Sequence, residues 1–406
     1  MKPIRIAIIF DQNFKASGGH QQALNAALLT LKLPKEIANI FFFTTNKESL
    51  VALSKYGIEA TFLKISFINK VHRYLRKRAQ HPFFWKILKR LKRYTQLERY
   101  MLDREIDLIY FLSPSSLAQD IDELNFIITV WDLSLRDNNE FPEIRMNNMI
   151  EVINSYYQDV LKRAMAVFVD SEIGKNNVVE YYAIDRSRVH IMPFEGAISV
   201  REHFKLGQLN NINIKKKYNL QTPYVFYPAQ FWTHKNHIYL LEGLYVLEHR
   251  YGLKVGAIFS GYDEGNLAYV KNRVSVLGLE NRVRFADFVS NQEIPELYLQ
   301  SIALVMPTYF GPTNLPPLEA FALKVPVLYS DIAGLRDQVG EAALLMNLKD
   351  PTSMAEHIKN LMNDEQLRNR LIEAGLKRLS YLDSIDRIKI LKSVIENFQW
   401  KRMCWK

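Results

Sequence analysis

Thirteen short runs rich in β-branched and aromatic residues punctuate this chain, and helix-like stretches separate most of them. The first seven are "IRIAIIF", "IANIFFFTT", "EATFLKI", "IDLIYFL", "FIITVWD", "MAVFVDS" and "RVHIMPF". Between them lie amphipathic segments such as "HQQALNAALLTLK" and "NNMIEVINSYYQDVLKRA". Strand runs that are apolar throughout belong to sheets covered on both faces, and strands alternating with helices demand parallel pairing. A polar, weakly periodic stretch, "EGAISVREHFKLGQLNNINIKKKYNLQTP", then breaks the alternation. It restarts with "YVFYPA", "KVGAIFSG", "RVRFADFV", "IALVMPT", "VPVLYS" and "AALLMN". The expectation is two α/β domains, residues 1–197 and 198–384, joined near residues 195–220. A closing segment, 385–406, carries a helical stripe of Ile388, Leu391, Ile395 and Phe398. "SNQE" at Ser290–Glu293 reads as a capping box opening the helix before "IALVMPT".

Length agrees with this division, since 406 residues exceed one ordinary core and 48% apolar content fills two. A single cysteine, Cys404, excludes a disulfide framework and suits a reducing compartment. The opening "MKPIRIAIIFDQNF" has too short an apolar run for a signal peptide and reads as a first strand. No uncharged apolar run reaches the 18 residues or so that a membrane span needs. These features predict a cytoplasmic protein.

The net charge of +10 is concentrated in a basic insertion, residues 70–104, with twelve Lys or Arg against two acidic residues. Such a run implies an anionic partner: a phospholipid surface, a nucleic acid or a polyanionic substrate. From Phe84, the series Leu88, Leu91, Tyr94, Leu97 and Met101 falls on one helical face, with Lys86, Lys89, Arg90, Arg93 and Arg99 mostly elsewhere. Phe83, Phe84 and Trp85 stand at its start. A basic amphipathic helix of this kind suits an anionic membrane surface. The alternative is a helix whose apolar face packs on the first domain.

Several strand-to-helix junctions carry candidate chemistry. In "KASGGH", Gly18 and Gly19 allow close backbone approach to a ligand, and the helix start behind them offers N–H donors to an anion. A plain tight turn is the competing reading, and the pair does not form the GxGxxG of a dinucleotide site. In "YPAQFWTHKNH", Lys235 at a helix mouth is placed to neutralise phosphate, or is a solvated surface lysine. His234 and His237 lack further ligands nearby, so no metal site is expected. In "NLPPLEAFAL", Glu319 lies in the first turn of a helix. It either complements the helix dipole or accepts hydrogen bonds from ligand hydroxyls such as a ribose diol, behind a loop fixed by prolines. Asp132 in "ITVWDLS" ends a buried strand at the edge where ligands meet open α/β sheets, or is a cap. The one DxD-like triplet, Asp120–Asp122, precedes a strand and reads as a surface loop.

Residues 222–352, from "YPAQFWTHKNHIYLLEGL" through "PTYFGPTNLPPLEAFALKVPVLYSDIAGLRDQVGEAALLMNLKDP", closely resemble the C-terminal half of family 4 (GT4) glycosyltransferases. "SGGH", "TVWDLSLRDNNEFPE" and "VDSEIGKNNVVEYYAI" resemble the N-terminal half more loosely. The resemblance implies a GT-B fold of two Rossmann-like domains facing a cleft, with a C-terminal helix crossing back to the first. It also implies sugar transfer from a nucleotide-sugar with retention and without a bound metal. Glu319 matches the second glutamate of the family's E-x7-E motif, the ribose-binding one. The first falls at Gly311, leaving Thr313 and Asn314 as candidates for its contact with the donor sugar. Lys235 matches the diphosphate-binding lysine, Gln230 replaces an arginine, and Trp131-Asp132 stands where the family has His-Asp. These departures recur in a subgroup similar to O-antigen and capsule glycosyltransferases.

On this basis the donor would be a UDP-, GDP- or dTDP-sugar held by Gly18, Gly19, Gln230, Lys235, Asn236, Thr313, Asn314, Leu315 and Glu319. Lys235 would act on the leaving group, while Asp132 and His20 would line the acceptor side. The acceptor would be a glycan or a polyprenyl-diphosphate-linked one, met at the inner face of the cell membrane through residues 70–104. No cofactor and no nucleic acid are expected. Two rival readings are a nucleotide-sugar epimerase of the same fold and a nucleic-acid-binding protein. The basic run has no recognisable reader motif for the second.

Overall fold

The computed structural model describes residues 2–12, 18–64, 95–201, 212–287, 289–311 and 313–405. All thirteen apolar runs form strands, in two sheets whose pairs are all parallel. The first sheet holds β1 (Ile4–Phe10), β2 (Ala38–Thr44), β3 (Ala60–Phe62), β4 (Leu108–Phe111), β5 (Asn125–Thr129), β6 (Ala166–Val169) and β7 (Val189–Ile191). Its order is β3-β2-β1-β4-β5-β6-β7. The second holds β8 (Tyr224–Pro228), β9 (Gly256–Ser260), β10 (Val283–Ala286), β11 (Leu304–Met306), β12 (Val327–Ser330) and β13 (Leu344–Met346), in the order β10-β9-β8-β11-β12-β13.

Each sheet reverses its winding once, at β1/β4 and at β8/β11. The crevice at the carboxyl ends of such a pair is where open α/β sheets receive ligands. The inner strands are buried on both faces, with β4, β6, β9 and β12 fully so, while the edge strand β3 has no fully buried residue. Covering helices begin where sequence supplies a cap: Ser171 accepts from the Gly174 N–H to open Glu172–Tyr182.

The chain divides into two compact units. One comprises residues 1–133, 150–193 and 386–406; the other comprises residues 134–149 and 194–385. Sequence order puts residues 134–149 with the first domain, but their packing puts them in the second unit. The last helix, Arg387–Arg402, belongs to the first unit, where Gln399 Nε2 donates to the Lys2 carbonyl at 2.8 Å. Its stripe buries Leu391, Val394, Ile395 and Phe398.

Three local expectations need correction. "SNQE" is no capping box: the helix Ile294–Leu299 starts without a side-chain cap. Glu293 turns away to accept from Lys217 Nζ at 2.6 Å and from the Tyr218 hydroxyl at 2.9 Å. The face drawn from Phe84 to Met101 is interrupted, because Thr95 is a non-helical N-cap that opens a separate helix, Gln96–Leu102. Leu97 and Met101 lie in the core of the first unit and face no membrane. Residues 70–94 of the basic insertion lie outside the described residues. Finally, "DID" is only partly a surface loop. Asp120 is buried, and the backbone N–H groups of Asp122, Glu123 and Leu124 donate to one oxygen of buried Glu98 at 2.8, 2.6 and 3.0 Å.

Candidate active site

In the second unit, the loops leaving β8 and β11 flank the β8/β11 reversal, and Lys235 and Glu319 follow those two strands. Lys235 closes a 3-10 turn, Thr233–Lys235, just before the helix His237–Tyr251. The Tyr227 hydroxyl donates to its carbonyl at 2.9 Å, and its Nζ lies 3.5 Å from Thr308 Oγ1 and 3.4 Å from Asn314 Oδ1. Lys235 is thus held in the partly buried crevice by two oxygens and is not a freely solvated lysine. Asn236 adopts a left-handed backbone, and its Oδ1 accepts from the Tyr239 N–H at 3.3 Å, so it caps the helix. Gln230 accepts from Trp232 Nε1 at 3.2 Å within the same loop.

Asn314 is locked by its neighbours. Its Nδ2 donates to the Gly311 carbonyl at 2.9 Å and to Tyr329 Oη at 2.6 Å. Its N–H donates to Gln338 Oε1 at 3.0 Å, and that same oxygen accepts from Tyr329 at 2.9 Å. With both amide hydrogens bound to acceptors, the amide must turn Oδ1 toward Lys235. Gly311 has φ +114°, and a Cβ there would sit 2.9 Å from Asn314 Oδ1. A glutamate in that place would strain the backbone and press on Asn314. Thr313 and Leu315 flank Asn314, with Leu315 buried as the first residue of the helix Leu315–Ala322.

Glu319 is the fifth residue of that helix, so it lies in the second turn and not the first as the sequence suggested. Dipole stabilisation fades beyond the first turn, and Pro316 and Pro317 bring no N–H groups there. Its carboxylate is buried, with 9% exposure, and Oε2 accepts from the Tyr298 hydroxyl at 2.9 Å. Burial raises the carboxyl above its ordinary value, while the Tyr298 hydroxyl and the Ala197 backbone pull it back down. The Gly196 backbone also runs alongside: a Cβ there would lie 3.8 Å from Glu319 Cγ.

Sequence reasoning missed a third group. Glu143, from the short helix Pro142–Arg145, accepts from the His234 N–H at 3.0 Å and stands 2.7 Å from its Nδ1. Burial lowers His234 to about 4 against the pull of Glu143, so the ring is neutral at neutral pH. Glu143 falls to about 2, because its hydrogen bonds from His234 outweigh the upward push of burial. A carboxylate therefore accepts Nδ1–H of a neutral imidazole. The pair "PE" at Pro142–Glu143 was visible in the sequence, but nothing local linked it to a histidine 91 residues away.

In the first unit, the start of the helix after β1 meets the residues that follow β5. The helix Gly18–Thr30 begins at Gly18, and a Cβ on Gly19 would lie 2.5 Å from the Trp131 ring, so only glycine fits beside it. His20 is buried edge-on to Phe10, with ring centroids 5.3 Å apart. Asp132 is half-buried; after burial and Tyr182, its charge helps to push the Tyr157 hydroxyl up. Asp11, which ends the first apolar run as Asp132 ends another, accepts from Ser115 Oγ at 2.6 Å and from Thr45 Oγ1. Among the described residues no group of His, Cys, Asp or Glu is arranged to hold a metal ion. Nor is any helix among them long and apolar enough to cross a membrane.

The family model "Glycosyl transferases group 1" matches residues 210–378. The chain is 22% identical over 236 residues to O-antigen chain mannosyltransferase B of Escherichia coli, covering 58% of this chain and 61% of that protein. It is 26% identical over 201 residues to O-antigen chain mannosyltransferase RfbU of Salmonella typhimurium, covering 50% and 52%. The matched part thus spans about three fifths and half of those two curated relatives. In fold, the crystal structure of Anabaena Alr3699/HepE in complex with UDP-glucose superposes with TM-score 0.67 at 16% identity, over 98% of this chain and 99% of that one. Residues 210–378 therefore belong to the glycosyl transferases group 1 family, and the chain has the GT-B architecture of two Rossmann-like units.

Proposed function

We propose that the protein is a retaining glycosyltransferase that moves a sugar from a UDP-, GDP- or dTDP-sugar to a glycan or polyprenyl-diphosphate-linked acceptor, in the synthesis of a surface polysaccharide. The observation that carries this reading is the pairing, around one sheet reversal, of a partly buried cation with a buried carboxylate. Lys235 is held by Thr308 and Asn314, and Glu319 lies one helical turn beyond Asn314. A cation and a hydrogen-bond acceptor spaced along one crevice fit a diphosphate and a ribose diol. The nucleotide-sugar bound to HepE and the O-antigen acceptors implied by the relatives' names support the same class.

In this reading Lys235 neutralises the diphosphate as the bond from the anomeric carbon to the leaving oxygen breaks, the electrostatic contribution that is usually largest. The acceptor hydroxyl attacks from the same face. Its oxygen bonds to the anomeric carbon, and its proton passes to the departing phosphate oxygen, so no protein nucleophile and no metal is used. Glu319 accepts from the ribose hydroxyls. Thr313, Asn314 and the start of the helix at Leu315 border the donor sugar, with Gln230 and Asn236 beside the diphosphate. His20 and Asp132 of the first unit are assigned to the acceptor. Reaction at the inner face of the cell membrane, reached through residues 70–104, is part of the same proposal.

Thermal-shift titration of the pure protein with UDP-, GDP- and dTDP-sugars tests this function. One nucleotide class should raise the melting temperature in the wild type and not in Glu319→Ala. No shift with any of them contradicts the donor site. Free sugar isomers without acceptor-dependent transfer would instead indicate an epimerase.

A further inference from the structure

The segment 134–149 lies between β5 and β6 in sequence, yet it packs in the second unit. There it touches both loops of the β8/β11 crevice. Phe141 packs on Tyr309 and Phe310, with ring centroids 5.2 and 5.7 Å away. Two residues on, Glu143 takes the His234 backbone N–H and ring Nδ1 on one carboxylate oxygen. His234 in turn stacks on Phe310 at 3.9 Å, and its carbonyl accepts from the Tyr309 N–H at 2.9 Å. His234 is therefore gripped at its N–H, its carbonyl and its ring, and the next residue is Lys235.

We propose that Glu143 is a positioning residue for Lys235, acting through His234 to fix the β8 loop against the β11 loop so that the ammonium group meets a diphosphate. The proposal rests on the reading of Lys235 as the diphosphate cation. Nothing in the relatives' names assigns a role to this pair, and the sequence motif contains only Lys235. The carboxylate does not contribute by charge. An anion near a phosphate site repels the ligand, so removing Glu143 should tighten anion binding if Coulomb interaction were all that mattered. If Glu143 instead orders the loop, removing it must weaken binding, because the freed loop has to be ordered again when the ligand arrives. The two roles predict opposite signs.

Inorganic pyrophosphate, which carries the diphosphate chemistry without base or sugar, is the probe. Its affinity is measured by calorimetry, well below the melting temperature, for wild type, Glu143→Ala, Glu143→Gln, Lys235→Ala and the double variant Glu143→Ala/Lys235→Ala. Lys235→Ala should weaken binding about tenfold or more, the scale of one lost charge-assisted contact. Glu143→Ala should weaken it about three- to tenfold, a small fraction of the cost of ordering a loop. Glu143→Gln, whose amide oxygen can still accept both His234 bonds, should weaken it less. The double variant should match Lys235→Ala alone, since Glu143 then has no cation to position. Tighter or unchanged binding in both Glu143 variants overturns the proposal, as do additive losses in the double variant. Should Glu143→Ala fail to fold, the sign in Glu143→Gln decides. If Lys235→Ala binds pyrophosphate like wild type, the donor-site reading itself fails and the proposal goes with it, a result distinct from failure of Glu143 alone.

Discussion

Tyr298 donates its hydroxyl proton to Glu319 at 2.9 Å inside the second unit, and both side chains are buried. A carboxylate desolvated in this way is costly unless its lone pairs are used, and Tyr298 supplies one bond to Oε2. The arrangement leaves acceptor capacity on the carboxylate for ligand hydroxyls, as a ribose-binding group requires.

Glu319 and Lys235 should separate in kinetics. Glu319→Ala removes contacts present both before and during reaction, so it should weaken nucleoside diphosphate binding by about 1–3 kcal/mol. Lys235→Ala removes a charge that matters most as the bond breaks, so kcat should fall about 100-fold or more. Calorimetry and single-turnover transfer measure the two. Wild-type nucleotide affinity in a folded Glu319→Ala protein would make that carboxylate purely structural.

Gly311→Glu, which restores the family's missing glutamate, should harm the protein. The backbone there has φ +114°, and the new Cβ would press on the Asn314 amide that faces Lys235. A loss of about 1–3 kcal/mol in urea unfolding is expected, together with weaker nucleotide binding. A variant as stable as wild type, with enhanced transfer, would show that the loop can accommodate the side chain.

Transfer should persist in excess EDTA. Complete loss of turnover, restored by Mn²⁺ or Mg²⁺, would show that the proposed reaction uses a metal.

Vesicles of anionic lipid should sediment the protein at low salt and release it at high salt, because residues 70–94 hold ten Lys or Arg and no acidic residue. With Leu97 and Met101 buried in the first unit, the attraction rests on charge in that stretch. Changing Lys86, Lys89, Arg90 and Arg93 to glutamine should weaken it; equal binding to neutral vesicles argues against the idea.

Acid should destabilise the fold in two overlapping stages. Burial, opposed by Glu143, lowers His234 from 6.5 to about 4, and burial together with Lys235 lowers His237 from 6.5 to about 3. As pH falls below 6.5 the unfolded chain takes up these protons first, so stability declines until each folded-state value is passed. Glu143, lowered from 4.5 to about 2, adds a further loss below pH 4.5. His237→Phe, which keeps a ring against Phe231, should flatten the decline by up to about 1.4 kcal/mol per pH unit. An unchanged slope in urea unfolding between pH 6 and 4 counts against a buried neutral His237.

Strand content and sheet type were legible in the sequence because a parallel strand covered on both faces is written as a continuous apolar run. Every one of the thirteen runs became a strand. The positions of Lys235 and Asn314 were legible too, as residues at strand-to-helix junctions. Errors arose where one residue had two possible partners. "SNQE" has capping-box spacing, but Lys217 and Tyr218, distant in sequence, bind Glu293 instead. Leu97 and Met101 continue an apolar period that Thr95 interrupts, because a side chain that accepts a backbone N–H ends one element and starts another. Local pattern, by itself, determined which segments are strands and where each sheet presents its loops. Only tertiary structure decided that residues 134–149 join the second unit, that Glu143 meets His234, and that Tyr298 donates to the buried carboxyl of Glu319. These contacts join residues 91 and 21 positions apart, and hydrogen bonds over such separations leave no periodic trace in the sequence.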